Sequence, residues 1–78
     1  MIMINKYHPV LVLETGKDLF NNAVSMHRTF LKFGTYWSIQ HCLEGIIEKL
    51  KVTDPDILEI SRTLAINEDK KFDRIVNN

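Results

Sequence analysis

Seventy-eight residues with ten basic and ten acidic side chains describe one domain of balanced charge. The 45% hydrophobic content is too high for intrinsic disorder, and the single cysteine excludes an intramolecular disulfide. Neither the basic excess of a nucleic-acid binder nor the acidic excess of a polyanion mimic is present. A chain this short builds a thin core, burying about 60% of the surface its unfolded form exposes. A second subunit is then the natural stabiliser, and a homodimer is expected.

The N-terminal stretch 1–16 holds two short apolar runs, Met1-Ile2-Met3-Ile4 and Val10-Leu11-Val12-Leu13. Runs this short do not separate strand from buried helix by period. With Pro9 before the second run and Gly16 after it, an extended or strand-like segment is expected here. Neither run approaches the roughly 20 apolar residues that span a bilayer. The start of the chain lacks the basic region and cleavage site of a signal peptide, so a cytoplasmic protein is expected. The Ile, Lys and Asn content hints at an AT-rich bacterial or phage genome.

A first helix is expected from about Lys17 to Phe33, with Asp18 as its N-cap. Phe20, Ala23, Val24, His27, Phe30 and Leu31 recur at helical spacing and form its inner stripe, widened by Leu19, Met26 and Phe33. Gly34 is placed to end the helix in the left-handed conformation. A second helix, from Thr35 or Ser38 to Lys51, carries Ile39, Leu43, Ile46, Ile47 and Leu50. Gly45 inside it is either an exposed, tolerated glycine or the point of close approach of a neighbour.

The third helix begins at Val52-Thr53-Asp54-Pro55-Asp56-Ile57. Thr53 with Asp56 reads as a capping box, and Asp54 is the alternative cap one residue later. Pro55 suits the first turn. Ile57, Ile60 and Leu64 are expected to face inward, with Leu58 and Ala65 beside them. The polar run Asn67-Glu68-Asp69-Lys70-Lys71 is either a solvated turn of one long helix or a break before a fourth. The whole is a mainly α domain over residues 1–78, of three or four helices behind the N-terminal segment.

No catalytic or metal site can be assembled from the sequence. His8, His27, His41 and Cys42 lack the paired spacing of zinc ligands. Cys42 sits beside an apolar stripe without an orienting third group for nucleophilic chemistry. Glycines 16, 34 and 45 form no phosphate loop. No metal, cofactor or enzymatic activity is therefore expected.

Residues 46–61 resemble a helix-turn-helix in hydrophobic spacing, with Leu50 and Val52 about the turn and Ile57 and Ile60 as anchors. The resemblance implies a second helix that meets the DNA major groove by its first residues. Those residues here include Asp54, Asp56 and Glu59, which repel phosphate. Ile47 also stands where a small residue lets such helices approach. Nucleic acid is thus not the expected partner, and a DNA-binding regulator is the alternative reading. The preferred one starts from Phe33, Tyr36 and Trp37, crowded about Gly34. They cannot all point inward in so small a domain, and Tyr and Trp dominate binding hot spots. A regulator, inhibitor or assembly factor that binds another protein, itself or both through Phe33, Tyr36 and Trp37 is the expected function.

Overall fold

The computed structural model describes the backbone of residues 9–77 and the side chains of residues 10–72. Three helices follow in order: α1, Pro9–Lys32; α2, Ile39–Leu50; α3, Pro55–Asn77. No strand occurs among the described residues. Each helix packs on the other two. The contact of Gly16 with Ile60 and that of the His27 ring with Phe72 set α1 and α3 side by side and parallel. Short connections return α2 between them in the opposite direction.

The mainly helical expectation holds, but the strand-like N-terminal segment does not extend through residues 9–16. Residues 1–8 lie outside the described residues, and α1 already begins at Pro9. Proline opens a helix readily, because the N–H it lacks would have no intrahelical acceptor there. Asp18 therefore lies inside α1 and is not its N-cap. Gly16 does not interrupt α1. An added Cβ there would fall 2.5 Å from Ile60 Cγ2 and 2.8 Å from Ile60 Cβ, so the missing side chain lets α1 and α3 meet. Gly45 is the opposite case: a Cβ there would meet nothing within 4 Å, which identifies it as an exposed glycine.

The helix ends follow local chemistry. The α1 chain turns at Gly34, which adopts φ +82° as expected, and the Thr35 N–H closes the turn onto the Phe30 carbonyl at 2.9 Å. Ser38 caps α2 by accepting from the His41 N–H at 3.0 Å. Asp54, not Thr53, caps α3: its Oδ1 accepts from the N–H groups of Asp56 and Ile57 at 2.9 and 3.1 Å. At the end of α2, Lys51 takes the left-handed conformation at φ 56°. A non-glycine side chain is strained there by about 1–2 kcal/mol. Lys51→Gly should accordingly raise stability by about 0.5–1 kcal/mol in urea denaturation, glycine's greater unfolded-state freedom offsetting part of the relief.

The core centres on α2, where Ile39, Cys42, Leu43, Ile46 and Ile47 are buried. Leu50 falls outside it at 59% exposed, because α2 ends there beyond the reach of its neighbours. From α1, Leu19, Ala23 and His27 are buried, while Met26, Leu31 and, just past the helix end, Phe33 are exposed. On α3 the buried line is Ile57, Ser61, Ala65 and Asp69, and Ile60 and Leu64 are only half-buried beside it. Ser61 satisfies its hydroxyl on the Ile57 carbonyl at 3.0 Å. The polar run 67–71 neither breaks α3 nor is wholly solvated, since Asp69 lies in the interior.

Candidate functional site

The connection between α1 and α2 crosses one end of the bundle and carries the aromatic group. Its backbone is fixed from beneath by two side chains. The Asp69 carboxylate accepts from the Ile39 N–H, the Gln40 N–H and Gln40 Nε2, each at 3.0 Å. A buried carboxylate thus meets the first free N–H groups of α2, where the helix dipole favours negative charge. Second, His27 Nδ1 lies 2.6 Å from the Trp37 carbonyl oxygen. A carbonyl only accepts, so Nδ1 carries the proton.

Above this support Phe33, Tyr36 and Trp37 are 80%, 52% and 43% exposed. They do not form one stack. Tyr36 turns toward α3, stacking on Phe72 at 5.8 Å and meeting the His27 ring edge-on at 5.8 Å. Trp37 turns toward α2, against Phe30 at 4.8 Å and His41 at 4.6 Å. Consecutive residues thereby furnish both flanks of the same end. On the Trp37 flank a groove of ≈ 420 Å³ runs along Met26, His41, Gly45 and Lys49. On the Tyr36 flank a hollow of ≈ 290 Å³ is lined by Val24, His27, Leu31 and Phe72, with Arg28, Lys71 and Glu68 at its rim.

Charge is unevenly distributed over the described residues. From Leu19 to Leu43 the chain has no acidic side chain, while Arg28 and Lys32 lie within it. Lys70 and Lys71 are also exposed near this end. Of the nearby acids, Asp69 is engaged at α2, and Glu68 lies 3.7 Å from Lys71. At the far end Asp56 and Glu59 are exposed beside the capping Asp54, with Lys51 in the same connection. Those acids occupy the first turns of α3, the part a helix-turn-helix would present to phosphate. Between the ends, Arg62 and Glu44 pair bidentately at 2.7 and 2.8 Å. The Arg62 hydrogen bonds hold the Glu44 carboxyl below its ordinary value. Both partners are half-exposed, so the pair adds at most about 1 kcal/mol.

The remaining candidates stay apart. Cys42 is buried in the core, and among the described residues no hydrogen bond joins it to His27 or His41. Burial, and secondarily the Asp69 charge, pushes its thiol up. Cys42 should resist a thiol reagent such as dithionitrobenzoate in the native protein and react fully once denaturant unfolds it. Rapid native-state labelling would contradict the burial. Among the described residues no three His, Cys, Asp or Glu side chains gather as metal ligands. No described helix is long and apolar enough to cross a membrane.

Asp69 and Phe72 are the neighbours of this aromatic group that the sequence pattern does not single out. Asp69 sits in a run of polar residues, and its only signal is the four-residue line from Ile57 through Ser61 and Ala65. Comparison with family models, with curated proteins and with solved structures finds no match to this chain.

Proposed function

We propose that this chain is a small non-catalytic protein-binding module, acting as a regulator, inhibitor or assembly factor through its aromatic end. The observation that carries this reading is the combination of exposure and support at Phe33, Tyr36 and Trp37. Large aromatic side chains facing water forgo apolar burial, and here Phe33 does so almost wholly and Tyr36 and Trp37 about half, on one short connection. The backbone beneath them is held by Asp69 and His27, so little conformational freedom remains to be lost on binding. Such pre-organised aromatics are the residues that dominate protein interfaces. The same surface would hold a second copy of the chain in a homodimer. The helix-turn-helix reading is weaker, because the first turns of α3 present carboxylates where a DNA reader needs cations.

Sedimentation equilibrium tests the proposal. The wild type at micromolar concentration is expected to give about twice the monomer mass. Phe33→Ser with Trp37→Ala is expected to return it to the monomer with its helical circular dichroism retained. A double variant that still dimerises would place the contact elsewhere and overturn the reading.

A further inference from the structure

The hollow on the Tyr36 flank has a composition that specifies its occupant, and the inference rests on the aromatic end being a contact surface. Its floor is apolar and aromatic: Val24, Leu31, Phe72 and the His27 ring, with Tyr36 stacked on Phe72 next to it. At ≈ 290 Å³ it has room for one large side chain. Among the described residues its rim carries Arg28 and Lys71 against Glu68, a net single positive charge. Arg28 is exposed and makes no ion pair with any described residue, and Lys71 holds Glu68 only at 3.7 Å. Lys32, one turn further along, is accounted for by the negative end of the α1 dipole. Arg28 and Lys71 are not, as each lies at least a turn inside its helix.

We infer that this hollow receives an apolar side chain from an acidic segment of a partner protein, whose carboxylates pair with Arg28 and Lys71. The guanidinium of Arg28 can take a carboxylate in bidentate fashion, and it need not abandon an existing partner to do so. The absence of any acid between Leu19 and Leu43 leaves this flank of α1 without repulsion toward such a segment. A basic or neutral segment would leave the Arg28 charge beside a covered apolar floor with nothing to neutralise it, which is the costly arrangement.

The test is selection of short random peptides, displayed on phage, against the immobilised full chain. Enriched peptides are then synthesised and titrated by fluorescence anisotropy against wild type, Arg28→Glu, Tyr36→Ala and Trp37→Ala. The expected result is a net-acidic consensus around a Leu, Phe or Met anchor. Its binding should weaken as salt rises, and Arg28→Glu should weaken it about tenfold. Arg28 is exposed and pairs with no described residue, so this variant is expected to keep the fold even if Tyr36→Ala does not. Peptides that depend on Tyr36 but are neutral or basic, or that ignore Arg28→Glu, would overturn this inference and leave the contact surface standing. Peptides indifferent to Arg28→Glu and Tyr36→Ala would overturn this inference, and if they also ignored Trp37→Ala they would overturn the contact surface as well. No enrichment over bare resin would likewise overturn the inference.

Discussion

Asp69→Ala is expected to destabilise the domain by about 2–4 kcal/mol in urea denaturation. The substitution removes one carboxylate and strands three donors, of which the Ile39 N–H is buried. Loss of a helix cap alone costs about 0.5–2 kcal/mol, and hydrogen bonds to a charged group contribute about 1.5–3 kcal/mol each. For a domain of this size that is much of the total stability, and the melting temperature should fall by about 10–25 °C. Asp69→Asn separates charge from shape. Its amide keeps one acceptor but turns an N–H₂ toward the Gln40 donors, so Asn should recover only a minor part of the loss. A drop below about 1 kcal/mol for Asp69→Ala would show that water replaces the carboxylate at the start of α2. The cap holds the start of α2 directly after Tyr36 and Trp37, so it ties the proposed contact surface to the stability of the domain.

Two glycine-to-alanine substitutions should move stability in opposite directions. In an exposed helix the change stabilises by up to about 1 kcal/mol, because alanine loses less backbone freedom on folding. Gly45→Ala meets open space and should show that gain. Gly16→Ala places a methyl group 2.5 Å from Ile60 Cγ2. Ile60 is β-branched and its χ1 is confined on a helix, so the contact cannot be relieved by rotation. α1 and α3 must separate, and overpacking of this kind costs about 1–3 kcal/mol before the propensity gain is subtracted. A net loss of about 1–2 kcal/mol is expected, with Gly16→Leu worse. Ile60→Ala in the Gly16→Ala background should recover part of it, by removing Cγ2 but not Cβ. If Gly16→Ala stabilises as Gly45→Ala does, the two helices are not in contact at this level.

The same two glycines show where sequence reading reaches its limit. A glycine after an apolar run signals a break, and Gly16 was legible only in that local sense. What keeps it in a helix is a residue 44 positions away, Ile60, and no local pattern reports such a neighbour. Gly34 differs because its role is local: it ends α1 at φ +82°, as its position after the stripe implies. The start of α3 was equally legible, since Asp54 and Pro55 act through adjacent backbone. Asp69 lies at the other extreme. Its acceptors serve donors 29 and 30 residues away, so it reads as one polar residue in a polar run. At the candidate site, the crowding of Phe33, Tyr36 and Trp37 was visible in the chain, as was the rule that consecutive helical-end residues diverge. The pairing of Tyr36 with Phe72, and hence the hollow beside it, required the tertiary approach of α1 to α3.

Acrylamide quenching of Trp37 fluorescence tests the central claim most directly, because this is the only tryptophan in the chain. It should be measured in the dilute free protein and again at concentrations where sedimentation shows a second copy bound. Ready quenching is expected in the free chain, as suits a 43% exposed indole, and a marked fall on complex formation. Quenching that stays the same while the mass rises would mean that partners assemble on another face, and would contradict the aromatic end as the contact surface.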